Sequence, residues 1–481
     1  MIDLVLALLS GAAGGVVIAL MPRAGRRLRN TVVLAFAALG AVFAWRAAVK
    51  ALNGHAVGVD FGIGGLPLSL QLDPLGAVFG IIASTLWLFA AVYSFGYMAA
   101  EHKQRTYYTY LLLAFSVTLG VAFSGNLVAL YLFYELLTFV TYPLVIHGRS
   151  EEAVRAGRKY VLYSLTGAGA ILIGIVITYA WAGRLDFARG PLLAGVGPRV
   201  GAGWLLALFV AGFGVKAAVM PLHRWLPAAM VAPTPVSALL HAVAVVYSGV
   251  FGILRVVYSV FGHELVRQLR FGRLLPWLAA FTILAGVIIA TRQDVLKRRL
   301  AYHTISQLSY ILLGAFTLHP LGLAGAVLHM FGYSILKVSL FFAAGIIAKQ
   351  TGKLKVSEMN GVGWRLPLTM TAFGIASLGM IGMLPLNTFW SKYHLMRGSA
   401  AGGIWPLALV LVGSGLINAF CFIPTVVAAF AGERGQPVLE RGREAALTLA
   451  PTVILASLAV LMGLWPGMIW PGVESVVNWF F

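Results

Sequence analysis

The amino-acid sequence predicts an all-α protein that crosses a membrane many times. Of its 481 residues, 60% are hydrophobic and only 10% are charged, and the mean hydropathy is +0.90. Soluble domains carry about 25% charged residues, so a soluble fold is excluded. Long apolar runs recur along the whole chain, and a helix of about 20 residues spans the hydrocarbon layer. Their unbroken length argues against a transmembrane β-barrel, whose strands are short and alternating.

Fourteen apolar runs predict about 14 transmembrane helices. They lie near residues 2–20, 31–49, 74–98, 107–124, 125–146, 160–182, 203–222, 235–257, 275–291, 298–318, 322–348, 366–395, 403–430 and 448–472. No basic residue precedes the first run, so we interpret it as a helix and not as a cleavable signal. The segment HAVGVDFGIGGLPLSLQLD, which follows the second run, alternates loosely and predicts a short hairpin.

The charge distribution predicts how the chain is oriented. The net charge is +20, and most of the 35 Lys and Arg residues fall in loops after odd-numbered spans. Because basic loops stay in the cytoplasm, both termini are predicted on the non-cytoplasmic side of the cell (inner) membrane. The charge is therefore explained by membrane topology and not by nucleic acid. The basic residues assigned to spans are Arg46, Lys216, Lys337 and Lys392.

Two spans carry helix-breaking residues beside a buried lysine. Gly214 precedes Lys216 in span 7, and Pro385 precedes Lys392 in span 12. These spans match in position if spans 4–8 are repeated as spans 9–13, and an odd number of spans inverts the second copy. Broken helices at matching positions of inverted repeats mark the transport site in many carriers. Because Gly and Pro are common in all membrane helices, ordinary packing is the alternative.

The repeat divides the chain into four parts. Residues 1–106 hold helices 1–3, residues 107–257 the first inverted repeat, residues 275–430 the second, and residues 448–481 the C-terminal helix 14. No hydrophilic stretch is long enough for a soluble domain.

Buried charges are the strongest functional signal. Lys216, Lys337 and Lys392 lie within apolar runs, and Glu135 is the acidic residue placed mid-span. A charge at the centre of a membrane helix costs at least roughly 2.5–3.5 kcal/mol, so such residues usually line a polar route. Burial disfavours the charged form of each group, whereas an opposite charge favours it. Movement of Glu135 relative to Lys216 would thus switch proton binding; a static buried ion pair is the alternative.

Histidines supply intermediate proton stations. His241 and His329 lie on apolar faces, and His329 precedes Lys337 by about two helical turns. Imidazole titrates near neutral pH, which suits a shuttle, although a single buried histidine is more often a satisfied core residue. In LAYHTISQLSY, four residues either hold water or form ordinary interhelical hydrogen bonds: His303, Thr304, Ser306 and Gln307.

No metal or cofactor is predicted. No cluster of His, Cys or carboxylate residues has metal-ligand spacing. The single cysteine, Cys421, excludes a disulfide or an iron–sulfur cluster within the chain. The sequence also carries no haem or flavin motif.

Several long motifs resemble one family of membrane proteins. Between Asp73 and Leu395 they are YSFGYM, NLVALYLFYELLTFVTYPLV, GFGVKAAVMPLHRWLPAAMVAPTPVSALLHAVAV, DVLKRRLAYHTISQLSYILLGA, HMFGYSILKVSLFFAAG and LPLNTFWSKYHL. They resemble the antiporter-like membrane subunits of respiratory complex I, of multisubunit Mrp-type Na⁺/H⁺ antiporters and of membrane-bound hydrogenases. The resemblance implies fourteen helices with inverted five-helix repeats, and the length implies a short, D-type member.

The resemblance also implies residue roles. Glu135 would be the switch partner of the first-half proton site Lys216, Lys337 the connecting lysine, and Lys392 the second-half site near the outer exit. The expected relay is Glu135, Lys216, His241, His329, Lys337 and Lys392. Supporting residues are expected at Asp73, His223, Asp294, His303, Ser306, Tyr247 and Tyr333.

Four positions depart from the family pattern. Tyr134 replaces the usual Trp before the glutamate, and Ala228 stands where many members have Asp. Tyr333 occupies a second-histidine position and Tyr247 a place that is Lys in several relatives. Phenolic hydroxyls and water would have to bridge the last two.

The leading hypothesis is a proton-translocating subunit of a larger membrane complex, with no redox centre of its own. Redox chemistry or an ion gradient elsewhere would drive it. Its partners would be other membrane subunits and a soluble redox or carbon-handling module. One alternative energises inorganic-carbon uptake with a large soluble partner. From other classes, the alternatives are a quinone-reactive membrane redox subunit and a passive scaffold, and retention of four costly buried charges argues against the scaffold.

Overall fold

The computed structural model describes residues 1–21, 25–63, 66–187, 190–194, 201–431 and 443–481. These residues are mostly helical. The first helices are α1 (Ile2–Leu20), α2 (Arg26–Leu52), α3 (Pro74–Tyr97), α4 (Gln104–Ala122), α5 (Leu127–Val145), α6 (Glu151–Ala182), α7 (Ala202–Lys216), α8 (Trp225–Ala228), α9 (Thr234–Ala242) and α10 (Val245–Arg255). The remaining helices are α11 (His263–Gln268), α12 (Arg270–Thr291), α13 (Leu296–Phe316), α14 (Pro320–Thr351), α15 (Val362–Arg365), α16 (Pro367–Ile381), α17 (Asn387–Ala401), α18 (Pro406–Phe430), α19 (Arg443–Leu464) and α20 (Trp470–Phe480).

The predicted hairpin is present. Strands β1 (Gly58–Ile63) and β2 (Leu66–Gln71) pair antiparallel, with Gly58 opposite Gln71. In the described part of the chain they form one two-stranded sheet. The Gln71 amide also donates to the carbonyl of Phe123 at 2.8 Å, which ties the hairpin to the end of α4.

The prediction of an all-α, multi-pass membrane protein is confirmed. In the described residues, ten helical segments are long and apolar enough to cross a membrane. The number is smaller than fourteen partly because α7 and α16 contain only 15 residues each. The count of fourteen spans and the inverted repeats stay predictions.

Helix breaks occur beside two of the buried lysines. Helix α7 ends at Lys216, and Ala218 takes a left-handed conformation with φ of 55°. Helix α16 ends at Ile381, Gly382 turns the chain with φ of 95°, and α17 begins at Asn387. Glycine adopts this positive φ without the steric cost that a Cβ would impose.

A third break was not predicted. Span 8 is divided into α9 and α10 at Val243 and Ala244. His241 lies in the last turn of α9, directly before this break. The local sequence HAVAVVY contains neither Gly nor Pro. Tertiary packing therefore interrupts a segment whose local sequence is compatible with a continuous helix.

The C-terminal part also differs from the prediction of one helix over 448–481. Helix α19 ends at Leu464, and a separate helix, α20, begins at Trp470. Pro466 and Pro471 lie at this junction. Proline disfavours helical geometry in the residue before it and lacks an amide donor, which favours an interruption at Pro466. Pro471 lies in the first turn of α20, where the missing amide is tolerated.

Helix α14 forms the centre of the molecule. It has 32 residues, and its side chains from Gly322 to Ile347 are buried. His329, Tyr333 and Lys337 are spaced by four residues and therefore share one face. This face meets α13 and α17, so that three elements surround the central polar groups.

The close packing of α10 on the end of α7 should depend on Gly249. A Cβ at this position would lie 2.2 Å from the Ala217 amide nitrogen. Because backbone cannot yield like a flexible side chain, we expect Gly249→Ala to lower the free energy of unfolding by about 1–3 kcal/mol. Thermal unfolding of the detergent-solubilised protein measures this. The matched control is Gly169→Ala on α6, where a Cβ would meet nothing within 4 Å; equal melting temperatures for the two variants would contradict the packing argument.

Candidate functional site

The first buried lysine lies between α7 and α5. Lys216 is fully buried, and its ammonium donates a hydrogen bond to the backbone carbonyl of Tyr134. The same nitrogen lies 3.5 Å from the centre of the Tyr134 ring. As the last residue of α7, Lys216 also faces the negative end of the helix dipole. Backbone and aromatic groups therefore hold this cation directly.

Glu135 lies beside this cation without touching it. Its side chain is half-buried, and Oε1 has no hydrogen-bond partner in the described structure. Lys216 and Glu135 act on one another electrostatically. The described residues contain no direct ion pair between them at 4.0 Å or less. Glu135 therefore lies within electrostatic reach of Lys216 but forms no direct ion pair with it.

The second buried lysine joins α14 to α13. The Lys337 ammonium donates to the carbonyl of Leu300 at 2.6 Å. Its nitrogen lies 5.9 Å from the ring centre of Tyr333 and 5.6 Å from that of Phe341. His241 and His303 both lie within electrostatic reach of this ammonium.

The third buried lysine uses the break after α16. The Lys392 ammonium donates to the carbonyls of Met380 at 2.9 Å and Ile381 at 2.7 Å. The last carbonyls of a helix lack intrahelical partners, so the break supplies acceptors for the cation. A Cβ at Gly382 would lie 2.6 Å from Cδ of Lys392, so a larger residue here would push the lysine side chain from this position.

The histidines differ in their contacts. Neither ring nitrogen of His241 has a hydrogen-bond partner among the described protein groups. His329 pairs through Nδ1 with Ser391 Oγ at 2.8 Å, and His303 contacts Cys421 Sγ at 3.2 Å through Nε2. Each of these three buried rings therefore keeps at least one nitrogen without a hydrogen-bond partner among the described protein groups.

Four rings form a ladder through the centre. Tyr247 and Tyr333 lie 6.3 Å apart, Tyr333 and His329 6.1 Å apart, and His329 and Tyr310 5.2 Å apart. Neighbouring rings are within 13° of parallel. Tyr333, the second ring of the ladder, donates to the carbonyl of His241 at 2.8 Å. At the end formed by Tyr310, the ring centre lies 5.1 Å from the Lys392 nitrogen.

Tyr310 was not predicted from the sequence as a site residue. Its only signal was its place at the end of the polar run HTISQLSY, seven residues after His303 and thus on roughly the same helical face. Further buried polar atoms without a protein partner cluster on α13, α17 and α18. They belong to Ser306, Gln307, Asn387 and Asn418. Polar groups of this kind are where buried water binds in proteins.

Three of the expected supporting residues lie apart from the buried lysines and the ring ladder. His223 is half-buried beside the ring of Tyr302, 6.1 Å away. Asp294 is on the surface, where the amide and hydroxyl of Ser357 donate to it at 3.0 and 2.8 Å. These two hydrogen bonds hold the pKa of the Asp294 carboxyl below its usual range. Asp294 therefore closes a loop between α12 and the segment after α14.

The third of these residues, Asp73, has a partner that the sequence pattern misplaced. Arg255 falls within the predicted span 235–257 but was not among the four basic residues assigned to spans; it lies in α10 with only 1% of its side chain exposed. Its guanidinium makes a two-pronged contact with Asp73, one arm at 2.7 Å. It also lies over the ring of Phe251, 4.7 Å from its centre. A cavity of about 580 Å³ opens beside the pair.

Known proteins share this sequence pattern. Residues 124–417 match the family model "NADH:quinone oxidoreductase/Mrp antiporter, TM". Residues 61–108 match "NADH-Ubiquinone oxidoreductase (complex I), chain 5 N-terminus". The chain is 34% identical over 378 residues to the N subunit of the NADH-quinone oxidoreductase of Desulforudis audaxviator, covering 77% of this chain and 74% of that protein. The chain belongs to the NADH:quinone oxidoreductase/Mrp antiporter family.

A second relative is similar in sequence, and two solved structures share the fold. The D-type member of the Na(+)/H(+) antiporter of Bacillus subtilis is 25% identical over 410 residues, covering 85% of this chain and 83% of that one. A chain of the Mrp complex from Dietzia sp. DQ12-45-1b has a TM-score of 0.87 at 22% identity, covering 99% of this chain and 97% of that one. For a chain of respiratory complex I from Thermus thermophilus the TM-score is 0.85 at 22% identity, with coverage of 99% and 98%. The family predicted from the motifs is confirmed.

The Asp73–Arg255 pair should stabilise the fold strongly. Because Arg255 is buried, we expect Asp73→Asn, which leaves an uncompensated guanidinium, to lower the free energy of unfolding by about 3 kcal/mol or more. The control is Asp186→Asn, since Asp186 pairs with partly exposed Arg184 at 3.3 Å and should lose at most about 1 kcal/mol. Denaturant unfolding of the solubilised protein compares the two. Equal losses would refute a special role for the buried pair.

Proposed function

We propose that this chain is a proton-translocating, antiporter-like membrane subunit of a multisubunit complex. Protons would pass from the Lys216 site, through His241 and Lys337, to His329 and Lys392. Glu135 would set the proton affinity of Lys216 by moving relative to it. Two relatives support the proposal by name, one from an NADH-quinone oxidoreductase and one from an Na(+)/H(+) antiporter.

One structural observation carries the proposal. The direct hydrogen-bond acceptors of Lys216, Lys337 and Lys392 are all backbone carbonyls. An ammonium has three N–H donors, and a neutral amine keeps two. The carbonyl stays satisfied in either state, so the proton can leave without breaking the anchor. A direct carboxylate partner would instead hold the proton on the lysine.

The ring ladder, together with water, would give the second half a polar route. Tyr333 touches the backbone at His241, lies near Lys337 and neighbours His329 in the ladder. Tyr310 then connects His329 to Lys392. Hydroxyl groups both donate and accept hydrogen bonds, so phenols and water together can pass a proton between basic groups.

We also propose the finer topology. Residues 107–257 and 275–430 would form inverted five-helix repeats within fourteen spans, with both termini outside the cytoplasm. The breaks beside Lys216 and beside Lys392 support the repeat, because inverted carriers place discontinuous helices at matching positions. The excess of basic residues in one set of loops supports the orientation.

Removal of the first proton site tests the function. We expect Lys216→Ala to abolish proton uptake, because it removes the amine that would bind the proton. We expect Glu135→Gln to reduce proton uptake at least tenfold, because it removes the negative charge that would set the proton affinity of Lys216. Everted membrane vesicles that hold the whole complex, with a pH-sensitive dye, give the measurement. The control is Lys353→Ala, since this lysine only contacts the carbonyl of Asn360 at the surface. Unchanged proton uptake in both relay variants would refute the proposal.

The phenol of Tyr333 is tested separately. Tyr333→Phe keeps the ring and removes the hydroxyl that donates to His241, so it should lower proton uptake several-fold. The lost hydrogen bond itself costs only about 1 kcal/mol of stability. Tyr258→Phe is the matched control, because Tyr258 also donates to a buried backbone carbonyl, that of Ala315 at 2.9 Å. If both variants lose uptake equally, the phenol of Tyr333 has a structural role only.

A further inference from the structure

Two direct contacts join α13 to α18 at different levels in the buried centre. His303 Nε2 lies 3.2 Å from Cys421 Sγ, and the hydroxyl of Tyr310 pairs with that of Ser414. On each helix the two contact residues are seven positions apart, which is about 10 Å along the helix axis. The later residue of α13 meets the earlier residue of α18, so the two helices run antiparallel here. Between the two contacts the helices therefore present facing sides to one another.

A carboxamide lies midway between these contacts on each helix. Gln307 follows His303 by four residues and precedes Tyr310 by three, so the three residues share one face of α13. Asn418 has the same place between the two contact residues of α18. Both carboxamides are fully buried. They therefore lie at the same level, on the facing sides of α13 and α18.

These carboxamides have few protein partners. Neither Oε1 nor Nε2 of Gln307 has a hydrogen-bond partner among the described protein groups, and Oδ1 of Asn418 has none either. The nearby ring of His303 likewise has an unpartnered Nδ1. Both helices are described from end to end. Buried amides without partners are costly, and buried polar groups that do not touch directly are bridged by water in many proteins.

The two carboxamides also separate two groups of basic side chains. At one level, His303 lies within electrostatic reach of Lys337. At the other level, the ring centre of Tyr310 lies 5.1 Å from the Lys392 nitrogen. The distance of about 10 Å between the two levels exceeds the length of one hydrogen bond, which is about 3 Å. A proton could cross it only through intermediate groups, and an amide that orients water supplies them.

We propose that Gln307 and Asn418 bind a short chain of water molecules between α13 and α18. The chain links His303 to the hydroxyl of Tyr310 and gives protons a second branch alongside the ring ladder. Both branches connect the second buried lysine to the third. The two amides are positioning residues, because they orient the water and hold no proton themselves. The transport role of this branch rests on the proposed function, whereas the water site rests on the unpartnered amides.

Water fits this site better than a metal ion. The site lies between two lysine side chains, whose ammonium groups repel a further cation strongly where the dielectric constant is low. Gln307 offers N–H donors as well as an oxygen acceptor, and a cation cannot accept a hydrogen bond. In the described parts of the chain, no group of three or more His, Cys, Asp or Glu residues could hold a metal ion. A water molecule both donates and accepts, so it can satisfy both amides.

Radiolytic labelling of the complete complex tests the water site. X-ray irradiation converts bound water into hydroxyl radicals, which oxidise the side chains beside that water. The complex is first equilibrated in water enriched in heavy oxygen. Peptide mass spectrometry should then find heavy oxygen on Phe422, which is fully buried and stacks on the ring of His303 with 4.4 Å between centres. Absence of this label from the unmodified complex would overturn the water site.

Variants connect the label to the amides. Gln307→Met with Asn418→Leu keeps the approximate size of both side chains and removes their polar atoms, so it should lower labelling of Phe422 several-fold. The matched control is Ser309→Ala, which removes an unpartnered buried hydroxyl from a different face of α13. It should leave the label unchanged. Equal labelling in the amide double variant and in the control would overturn the assignment of the site to these amides.

Combined variants test the second branch. The amide double variant alone should lower proton uptake less than Tyr333→Phe does, because the ring ladder remains. Added to Tyr333→Phe, it should abolish the uptake that remains, since both branches are then closed. For parallel branches the combined loss exceeds the product of the separate losses, which a double-mutant cycle measures. Ser309→Ala added to Tyr333→Phe should cause no further loss.

The outcomes separate this branch from the relay as a whole. Losses that simply multiply would overturn the second branch. Uptake that is unchanged by Lys216→Ala would refute the proposed function, and the labelling of Phe422 would still decide whether water is bound. The melting temperature of each variant complex shows that the subunit remains folded.

Discussion

The membrane interior of this protein depends on how ammonium groups are held away from water. Transfer of a charge from water into hydrocarbon is costly unless polar groups replace its hydration. Lys216, Lys337 and Lys392 receive that replacement from backbone carbonyls. The tyrosine rings beside each lysine add cation–π attraction. Both kinds of partner are neutral, so the site tolerates a lysine in either protonation state.

Helix breaks make part of this arrangement possible. A continuous helix uses its carbonyls internally, whereas a helix end leaves up to four of them free. The end of α16 directs two such carbonyls at Lys392. Lipid cannot hydrogen-bond the exposed backbone of a break, so a break must be covered by protein or line a polar cavity. Helix α14 packs against both α16 and α17, and it carries the buried residues His329, Tyr333 and Lys337. The broken helices and the buried lysines, histidines and tyrosines therefore depend on one another.

The sequence was sufficient for the parts that have a local signature. Apolar length indicated a multi-pass helical protein, buried lysines indicated a polar interior, and Gly or Pro indicated the breaks beside Lys216 and Lys392. It was insufficient where packing decides. The break at Val243 has no local breaker, and the pairing of Arg255 with Asp73 joins residues that are 182 positions apart. Tyr310 gained its place only when α13 packed against α14. Local patterns report local constraints, and these features arise from long-range contacts.

Tyr247 and Tyr333 also affect how much charge the buried centre of the protein carries. Lysine or histidine at positions 247 and 333 would add proton-binding groups close to Lys337. Like charges repel strongly where the dielectric constant is low, so each added cation would make its neighbours harder to protonate. A phenol stays neutral at physiological pH and still offers a hydroxyl. Tyr247 and Tyr333 use that hydroxyl to donate to the carbonyls of Met330 and His241. The tyrosines thereby keep the centre polar without adding charge to it. In the proposed relay they would connect the lysines and histidines, which would store the proton.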